Sequence, residues 1–225
     1  MRALLAFSTS TPPPPPPPPP PRLGIPTKVC LSGNSSCLIG FVNATTGRHT
    51  FRGIRYAAPP IGDRRWAAPV GTRNDPAWQI DRPATHFGDS CPQLGPGWNS
   101  LAPAVKHISE DCLSLNIYAP PRRITPTYPV IVFIHAGGMK WGSSRDWENW
   151  GAPDGAGVAA VDKTIYITIN YRTGVFGFLG GEALRSESNG GGSTGHYGVQ
   201  DQREALRWVQ KHIAAFGGDP TRVTL

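Results

Sequence analysis

The chain has 225 residues, 39% hydrophobic and 16% charged, which is long enough and apolar enough to bury one sizeable core. No stretch approaches the roughly 18 consecutive apolar residues that a membrane-spanning helix requires. The formal net charge is +7, but the arginines are scattered, with only short pairs at Arg64-Arg65 and Arg122-Arg123. Nucleic-acid sites need clustered basic residues, so we expect no nucleic-acid partner.

The chain begins with a low-complexity segment. Pro12 to Pro21 are uninterrupted, which predicts a stiff polyproline helix of roughly 30 Å because each ring fixes φ and removes an N–H donor. Such a run can bind an SH3 or WW domain, although a leader without a partner is the simpler interpretation. The apolar patch within residues 1–7 is too short for a signal peptide core. We assign residues 1–26 to a disordered leader and residues 27–225 to a globular domain.

Two glycosylation patterns and four cysteines bear on the cellular route. Asn34 and Asn43 each begin an Asn-x-Ser/Thr acceptor pattern. The even number of cysteines permits three disulfide pairings or four free thiols, and their spacing does not decide between these alternatives. Together the two features predict a secreted or secretory-pathway glycoprotein.

The first predicted elements of the domain are strands. Residues 40–57 have the pattern of two short strands around a polar turn from Asn43 to Arg48, which predicts a hairpin. Cys112 to Tyr118 alternates apolar and polar residues, which predicts a strand with one buried face. The continuous apolar runs at Val130 to Ile134 and Ile165 to Ile169 are typical of strands covered on both faces in a parallel sheet.

The last elements are a helix and a strand. A helix is predicted from about Val199 to Ala215, because Leu206, Val209 and Ile213 fall on one stripe. Thr221 to Leu225 alternates as a strand does. The order strand, crossover, strand, helix, strand indicates an α/β fold, and no internal repeat is visible.

The sharpest chemical signal follows the predicted strand at Val130 to Ile134. The strand runs into His135-Ala136-Gly137-Gly138, and such a glycine loop can bring backbone N–H groups close to a negatively charged intermediate, as in an oxyanion hole. The loop alone fits a glycine turn without a catalytic role equally well. His135 itself could be a general base or a hydrogen-bonded structural histidine.

A second motif matches the sequence pattern around a catalytic serine but lacks the apolar strand that should precede it. Gly191 to Gly195 match the G-x-S-x-G pattern around Ser193, but they follow the polar run Arg185 to Asn189 rather than an apolar strand, which argues against a nucleophile there. No cysteine and histidine spacing fits zinc, and no glycine-rich segment has the lysine of a phosphate loop. We therefore predict neither a metal nor a cofactor.

Ordered blocks over about residues 36–225 resemble the type B carboxylesterases and cholinesterases of the α/β-hydrolase superfamily. They are FRGIRYAAPPIGDRRW, FGDSCPQ, SEDCLSLN, VIVFIHAGG, NYRTGVFGF and GHYGVQDQREALRWVQKHIAAFGGDPTRVTL. The resemblance implies the N-terminal part of an α/β-hydrolase fold, with a mixed, mostly parallel sheet and an N-terminal hairpin. In that family the last strand leads into the turn that carries the catalytic serine, so the chain is expected to end before that turn.

The resemblance also assigns roles to residues of the loop. Gly137 and Gly138 correspond to the oxyanion donors, while the nucleophile, base and acid are expected outside the chain. Because the family's base lies far downstream, the resemblance implies that His135 is a hydrogen-bonded structural histidine. Trp141, Trp147 and Trp150 either line an ester pocket or pack as core aromatics. Ala136 replaces the first glycine of the family's loop, and a position with positive φ would be strained by its Cβ. Two other departures lie upstream, where Arg55 replaces a proline and Trp66 a phenylalanine.

Disulfides and ion pairs are implied in the same way. The resemblance pairs Cys91 with Cys112. This leaves Cys30 and Cys37, which would then pair with each other and close a small loop around Asn34. The resemblance also implies two structural salt bridges, which join Arg65 to Glu110 and Arg172 to Asp201. For both pairs, the alternative is that the residues are independent surface charges.

Two functions are consistent with this resemblance. The first is a carboxylic ester hydrolase fragment that lacks the catalytic serine and is inactive alone, the whole enzyme acting without a cofactor on a small-molecule or lipid ester. The second is a non-catalytic interaction protein or a pseudogene product, since cholinesterase-like domains also serve as adhesion modules.

Overall fold

The computed structural model describes residues 24–31, 36–44, 47–72, 81–93, 107–121, 127–145, 163–187 and 194–225. The strands are β1 (Ile25–Cys30), β2 (Cys37–Val42), β3 (His49–Arg55), β4 (Arg82–Pro83), β5 (Ser114–Ala119), β6 (Tyr128–Ile134), β7 (Ile165–Ile169) and β8 (Gly218–Thr224). The helices are α1 (Gly174–Phe178), α2 (Glu182–Glu187) and α3 (Tyr197–His212), with 3-10 turns at Gly62–Arg64 and Ile213–Phe216. None of these helices is long and apolar enough to cross a membrane.

All the described strands belong to one mixed sheet. Its order is β1-β2-β3-β5-β7-β6-β8, and β4 pairs with β2. The pairs from β1 to β7 along this order are antiparallel, whereas β6 is parallel to both β7 and β8. The prediction of a mixed sheet is confirmed. The prediction that it is mostly parallel is wrong for the described strands, because the first strands along this order are added side by side in alternating direction. Among the described strands, parallel pairs occur between β6 and its two neighbours and between the short β4 and β2.

The N-terminal hairpin is confirmed as β2 and β3. Its turn is closed by the N–H of Asn43, which donates to the carbonyl of Arg48 at 2.8 Å, and by the N–H of Gly47, which donates to the carbonyl of Asn43 at 2.8 Å. β1 begins at Ile25, within the range predicted as leader, and it tolerates Pro26 because it lies at the edge of the sheet. Residues 1–23, with the proline run, lie outside the described residues.

The two central strands differ in burial. All five residues of β7 have almost no exposed surface, as predicted for a strand covered on both faces. The same prediction is wrong for β6, because its second face is only partly covered by the described residues and leaves Ile131 and Phe133 half-buried. The prediction of one buried face for β5 is wrong, because all six of its residues are buried. Its polar face is covered as well: the Asn116 amide donates to the hydroxyls of Ser144 and Thr168 at 3.1 and 2.9 Å.

The predicted long helix is confirmed as α3, which begins two residues earlier than expected and continues into the second 3-10 turn. Val209 and Ile213 of the predicted stripe are fully buried. The turn ends at Gly217, whose φ of 87° suits a residue without a Cβ. β8 follows immediately and includes all but the last residue of the strand predicted from Thr221 to Leu225.

Candidate active-site loop

The glycine-rich loop leaves the sheet where β6 ends. The carbonyl of Gly137 accepts hydrogen bonds from the N–H groups of Lys140 and Trp141 at 3.0 and 3.3 Å, which close a tight turn. Positive φ angles follow one another along it: 118° at Gly137, 60° at Gly138 and 64° at Met139. Ala136 is not among the residues with positive φ, so its Cβ causes no backbone strain of the kind considered from the sequence.

The glycines of the loop are required for different reasons. A Cβ on Gly137 would lie 1.9 Å from the carbonyl oxygen of Trp141, and a Cβ on Gly142 would lie 2.3 Å from Nδ1 of His135. Both positions therefore exclude any side chain. Gly138 has no neighbouring atom within 4 Å of the Cβ position, so only its φ favours glycine and the space beside it is open.

The amides of Gly137 and Gly138 have no acceptor within the described ranges. Backbone N–H groups in proteins are nearly always satisfied by protein, water or ligand. Two successive unpaired amides on a loop with open space beside it can therefore donate to a bound molecule. The role of these two amides as oxyanion donors stays a prediction.

The side chain of Gln93 holds one end of the loop. Its Oε1 accepts from the N–H of Gly142 at 2.7 Å, and its Nε2 donates to the carbonyls of Gly142 and Cys91 at 2.9 and 3.0 Å. Cys91 is joined to Cys112, with 5.0 Å between the Cα atoms. The loop is thus fastened to a segment that a disulfide fixes to the start of β5.

Helix α1 holds the middle of the loop. The N–H of Gly174 donates to the carbonyl of Met139 at 2.8 Å. The indole N–H of Trp66 donates to the carbonyl of Val175 at 3.0 Å, and its ring stacks on Phe176 with 6.3 Å between centroids. The main chain of the loop is therefore positioned by two neighbouring segments, and neither of these segments provides an acceptor for the Gly137 and Gly138 amides.

His135 is packed beneath the loop, as interpreted from the sequence. Its ring is buried and stacks on Tyr171 with 4.3 Å between centroids. The Tyr171 hydroxyl donates to the carbonyl of His135 at 3.2 Å. These contacts suit a structural side chain that supports the strand end.

A buried ion pair lies below α1. Nε and Nη2 of Arg172 donate to the two carboxylate oxygens of Asp201, each at 2.8 Å, and the Arg172 N–H donates to the same carboxylate at 3.0 Å. Arg172 and Asp201 are 3% and 0% exposed at their side chains, which excludes water from the pair. Burial raises the pKa of Asp201, and the hydrogen bonds and charge of Arg172 oppose that rise.

The second implied ion pair is more exposed. Nε and Nη2 of Arg65 donate to the carboxylate oxygens of Glu110 at 2.6 and 2.7 Å. Their side chains are 38% and 24% exposed. Both pairs thus have bidentate geometry, but only the Arg172 pair is shielded from solvent.

Asn170 is a positioning residue that the sequence reasoning missed. Its Oδ1 accepts from the N–H of Ser144 at 2.7 Å, and its Nδ2 donates to the carbonyls of Asp89 and Cys112 at 2.8 and 3.1 Å. Its carbonyl accepts from the Tyr56 hydroxyl at 2.7 Å, and burial raises the pKa of Tyr56 well above its usual value. The available signal was a polar residue directly after the apolar β7.

Of the remaining predicted sites that the structure describes, Trp141 alone belongs to the loop. The structure contains the second disulfide, Cys30 to Cys37, at the paired ends of β1 and β2. Asn43 is half-buried in the hairpin turn, and Trp141 is half-buried beside Gly142. Asn34, Trp147, Trp150 and Ser193 lie outside the described residues. Within the described ranges, no three His, Cys, Asp or Glu residues are grouped so as to hold a metal ion.

Comparison with known proteins gives the family. The family model described as the carboxylesterase family matches residues 34–225. The chain belongs to the carboxylesterase family. Human thyroglobulin is 41% identical to this chain over 175 residues, which are 78% of this chain and 6% of thyroglobulin. The fumonisin B1 esterase of Sphingopyxis macrogoltabida is 40% identical over 177 residues, 78% of this chain and 31% of that esterase.

Solved structures agree with this assignment. A thermophilic PNB esterase superimposes with a TM-score of 0.72 at 33% identity, over 87% of this chain and 37% of that esterase. The fold is therefore the α/β-hydrolase fold of the carboxylesterase family, and the chain spans roughly a third of each of these two esterases.

Proposed function

We propose that the chain provides the oxyanion-stabilising loop of a carboxylic ester hydrolase, with the N–H groups of Gly137 and Gly138 as donors. The single observation that carries this proposal is the pair of successive amides without an acceptor among the described residues, at the end of a buried strand. When a nucleophile attacks an ester carbonyl, the negative charge on the oxygen is stabilised by such fixed donors.

The rigidity of the loop supports this role. Donors contribute most when they are already oriented before the charge develops, and one such donor typically accounts for a 10²- to 10³-fold effect on kcat. Here the bonds from Gln93 and from Gly174 hold the main chain on both sides of Gly138. The donors therefore need little reorganisation during the reaction.

The substrate class we propose is a small-molecule or lipid ester, hydrolysed by acyl transfer to a serine. No described residue has been assigned the role of nucleophile, base or acid. We therefore expect the isolated chain to hydrolyse no aryl ester. The two disulfides favour an oxidising compartment, in agreement with the proposed secretory route.

A chimaera tests the proposal. The matched segment of the thermophilic PNB esterase is replaced by residues 34–225 of this chain, and hydrolysis of an aryl acetate is measured beside the unmodified esterase. The proposal predicts a folded chimaera with measurable hydrolysis. A chimaera that unfolds cooperatively but hydrolyses nothing would contradict it.

The second candidate is a non-catalytic interaction protein. It is supported by the 41% identity to thyroglobulin, a protein that is not named as a hydrolase. The same chimaera discriminates between the two, because a loop retained only for its fold has no need to keep two donors in catalytic geometry.

A further inference from the structure

The imidazole of His135 makes a hydrogen bond to the first peptide group of the glycine loop. Its Nδ1 lies 3.0 Å from the carbonyl oxygen of Ala136. A carbonyl oxygen only accepts, so Nδ1 carries the proton and donates in this contact. The bond therefore reaches the residue directly before the first proposed oxyanion donor.

The effect of this bond on the donor follows from the geometry of the peptide group. The carbonyl of Ala136 and the N–H of Gly137 belong to the same peptide group. Because a trans peptide group is planar, its C=O and its N–H point in opposite directions. A carbonyl that is held towards the buried imidazole therefore directs the Gly137 N–H away from it. Rotation of this peptide group would break the bond to His135 and displace the N–H together.

The second donor is held by a different group. The carbonyl of Gly137 shares a peptide group with the N–H of Gly138, and it accepts from the N–H groups of Lys140 and Trp141 at 3.0 and 3.3 Å. Main chain thus fixes the Gly138 donor, whereas a side chain fixes the Gly137 donor. A substitution of His135 can therefore release one donor and leave the turn that holds the other.

The imidazole ring is itself held on two sides. It stacks on Tyr171 with 4.3 Å between centroids and 12° between the ring planes. Elsewhere, Nδ1 of His135 and the carbonyl oxygen of Ala136 are the two atoms nearest to the place that a Cβ on Gly142 would occupy. Gly142 therefore leaves the space for this hydrogen bond, and Gln93 holds the main chain of Gly142 there.

We propose that His135 is a positioning residue, which orients the oxyanion donor of Gly137 through the peptide group between Ala136 and Gly137. The inference rests on the proposed function of the loop and adds to it the side chain that fixes one donor. A role in packing alone makes a different demand on this position. Packing requires an aromatic ring against Tyr171, whereas orientation requires an N–H donor at the place of Nδ1.

Two substitutions separate these demands in the chimaera that carries residues 34–225 of this chain. His135→Phe keeps a ring and removes the donor, whereas His135→Asn loses the ring and keeps an N–H donor on the same Cγ atom. We expect kcat for an aryl acetate to fall about tenfold in His135→Phe with little change in KM, because oriented donors act on charge that develops in the transition state. His135→Asn should retain a kcat several-fold above that of His135→Phe.

His212→Phe is the matched control. His212 and His135 are each 3% exposed, and His212 also lies against an aromatic ring, that of Trp208, with 5.0 Å between centroids. It belongs to α3 and not to the loop, so His212→Phe should leave kcat unchanged. If His135→Phe is as fast as this control, or faster than His135→Asn, the proposal is wrong. An unsubstituted chimaera that folds but hydrolyses nothing would contradict the proposed function itself, and this inference with it.

The proton on Nδ1 can also be observed without a substitution and without catalysis. NMR of the imidazole nitrogens in the full chain at neutral pH reports which ring nitrogens are protonated. We expect a proton on Nδ1 of His135. An Nδ1 without a proton would overturn the proposal, since it could not donate to the carbonyl of Ala136.

Discussion

The buried polar layer around Arg172 and the glycine loop above it differ in how far their hydrogen-bonding groups are satisfied. In the layer, Arg172, Asp201 and Asn170 are almost fully buried. Arg172 donates to Asp201, and Asn170 donates to the carbonyls of two other segments. In the loop, Gly137 and Gly138 keep amides without acceptors among the described residues. The difference agrees with a layer that maintains the fold and with the proposed role of the loop as a hydrogen-bond donor to a bound molecule. Substitutions in the layer should therefore change stability, and substitutions at the centre of the loop should change activity.

The largest effect is expected in the layer. Asp201→Asn removes the negative charge opposite Arg172, and a buried charge that loses its partner typically costs about 3–5 kcal/mol. The matched control is Glu110→Gln at the partly exposed Arg65 pair, for which we expect less than about 1 kcal/mol. Urea unfolding of both variants measures the difference. Equal losses would show that burial does not separate the two pairs.

The disulfides provide the next comparison. Cys91 and Cys112 are 21 residues apart and Cys30 and Cys37 are 7 apart. By loop-closure entropy, replacing the first pair with serines should cost about 3 kcal/mol and the second about 2 kcal/mol. The first replacement should also loosen the loop, because Gln93 is anchored beside Cys91. Thermal unfolding with hydrogen exchange at Gly142 tests both statements, and unchanged exchange at Gly142 would contradict the second.

The buried side chain of His212 should make the stability of the fold depend on pH. Burial lowers the pKa of His212 from 6.5 to about 4, with a smaller contribution from the charge of Lys211. Its Nδ1 has no hydrogen-bond partner in the part of the chain that the structure describes. The unfolded chain therefore binds more protons between these pH values, so stability is full above about pH 6.5 and falls as the pH decreases toward 4.

Replacement of this histidine should remove that part of the pH dependence. In His212→Gln, the stability measured by urea unfolding should change less between pH 6.5 and 4, by on the order of 1–3 kcal/mol. His196→Gln is the control, because His196 is exposed. The same pH profile in His212→Gln and in the unmodified chain would contradict this account.

A smaller effect is expected at the edge of the loop. Gln93→Ala removes both hydrogen bonds to Gly142, which should cost about 1–2 kcal/mol. It should also lower the hydrolysis rate of the chimaera, since the loop loses an anchor. Gln200→Ala, on α3 and away from the loop, is the control for rate. A loss of stability without any loss of hydrolysis rate would show that the Gln93 anchor is not needed for the reaction.

The parts of this fold that follow from local pattern were predictable. The apolar runs of β6 and β7, the stripe of α3 and the turn between β2 and β3 are fixed by residues close in sequence. The family was recognisable because several blocks occur in order, and they include the loop at Gly137.

The parts that depend on distant partners were not. Asn116 lies in a pattern that predicts an exposed polar face, but Ser144 and Thr168 bury it. Gln93 and Asn170 hold segments 49 and 81 residues away, and nothing in their immediate neighbourhood indicates this. The positive φ of Met139 was equally hidden, because it results from the closure of the loop rather than from the residue type.

Gly138 provides the most direct test of the central claim, since Gly62 is a matched control. Both have φ near 60° and no atom within 4 Å of the Cβ position, so alanine should cost each about 1–2 kcal/mol. Only Gly138 belongs to the proposed oxyanion loop. The decisive measurement is kcat for an aryl acetate in the chimaera carrying either substitution. We predict a loss of about ten- to a hundredfold for Gly138→Ala and little change for Gly62→Ala, whereas equal rates in the two variants would contradict the claim.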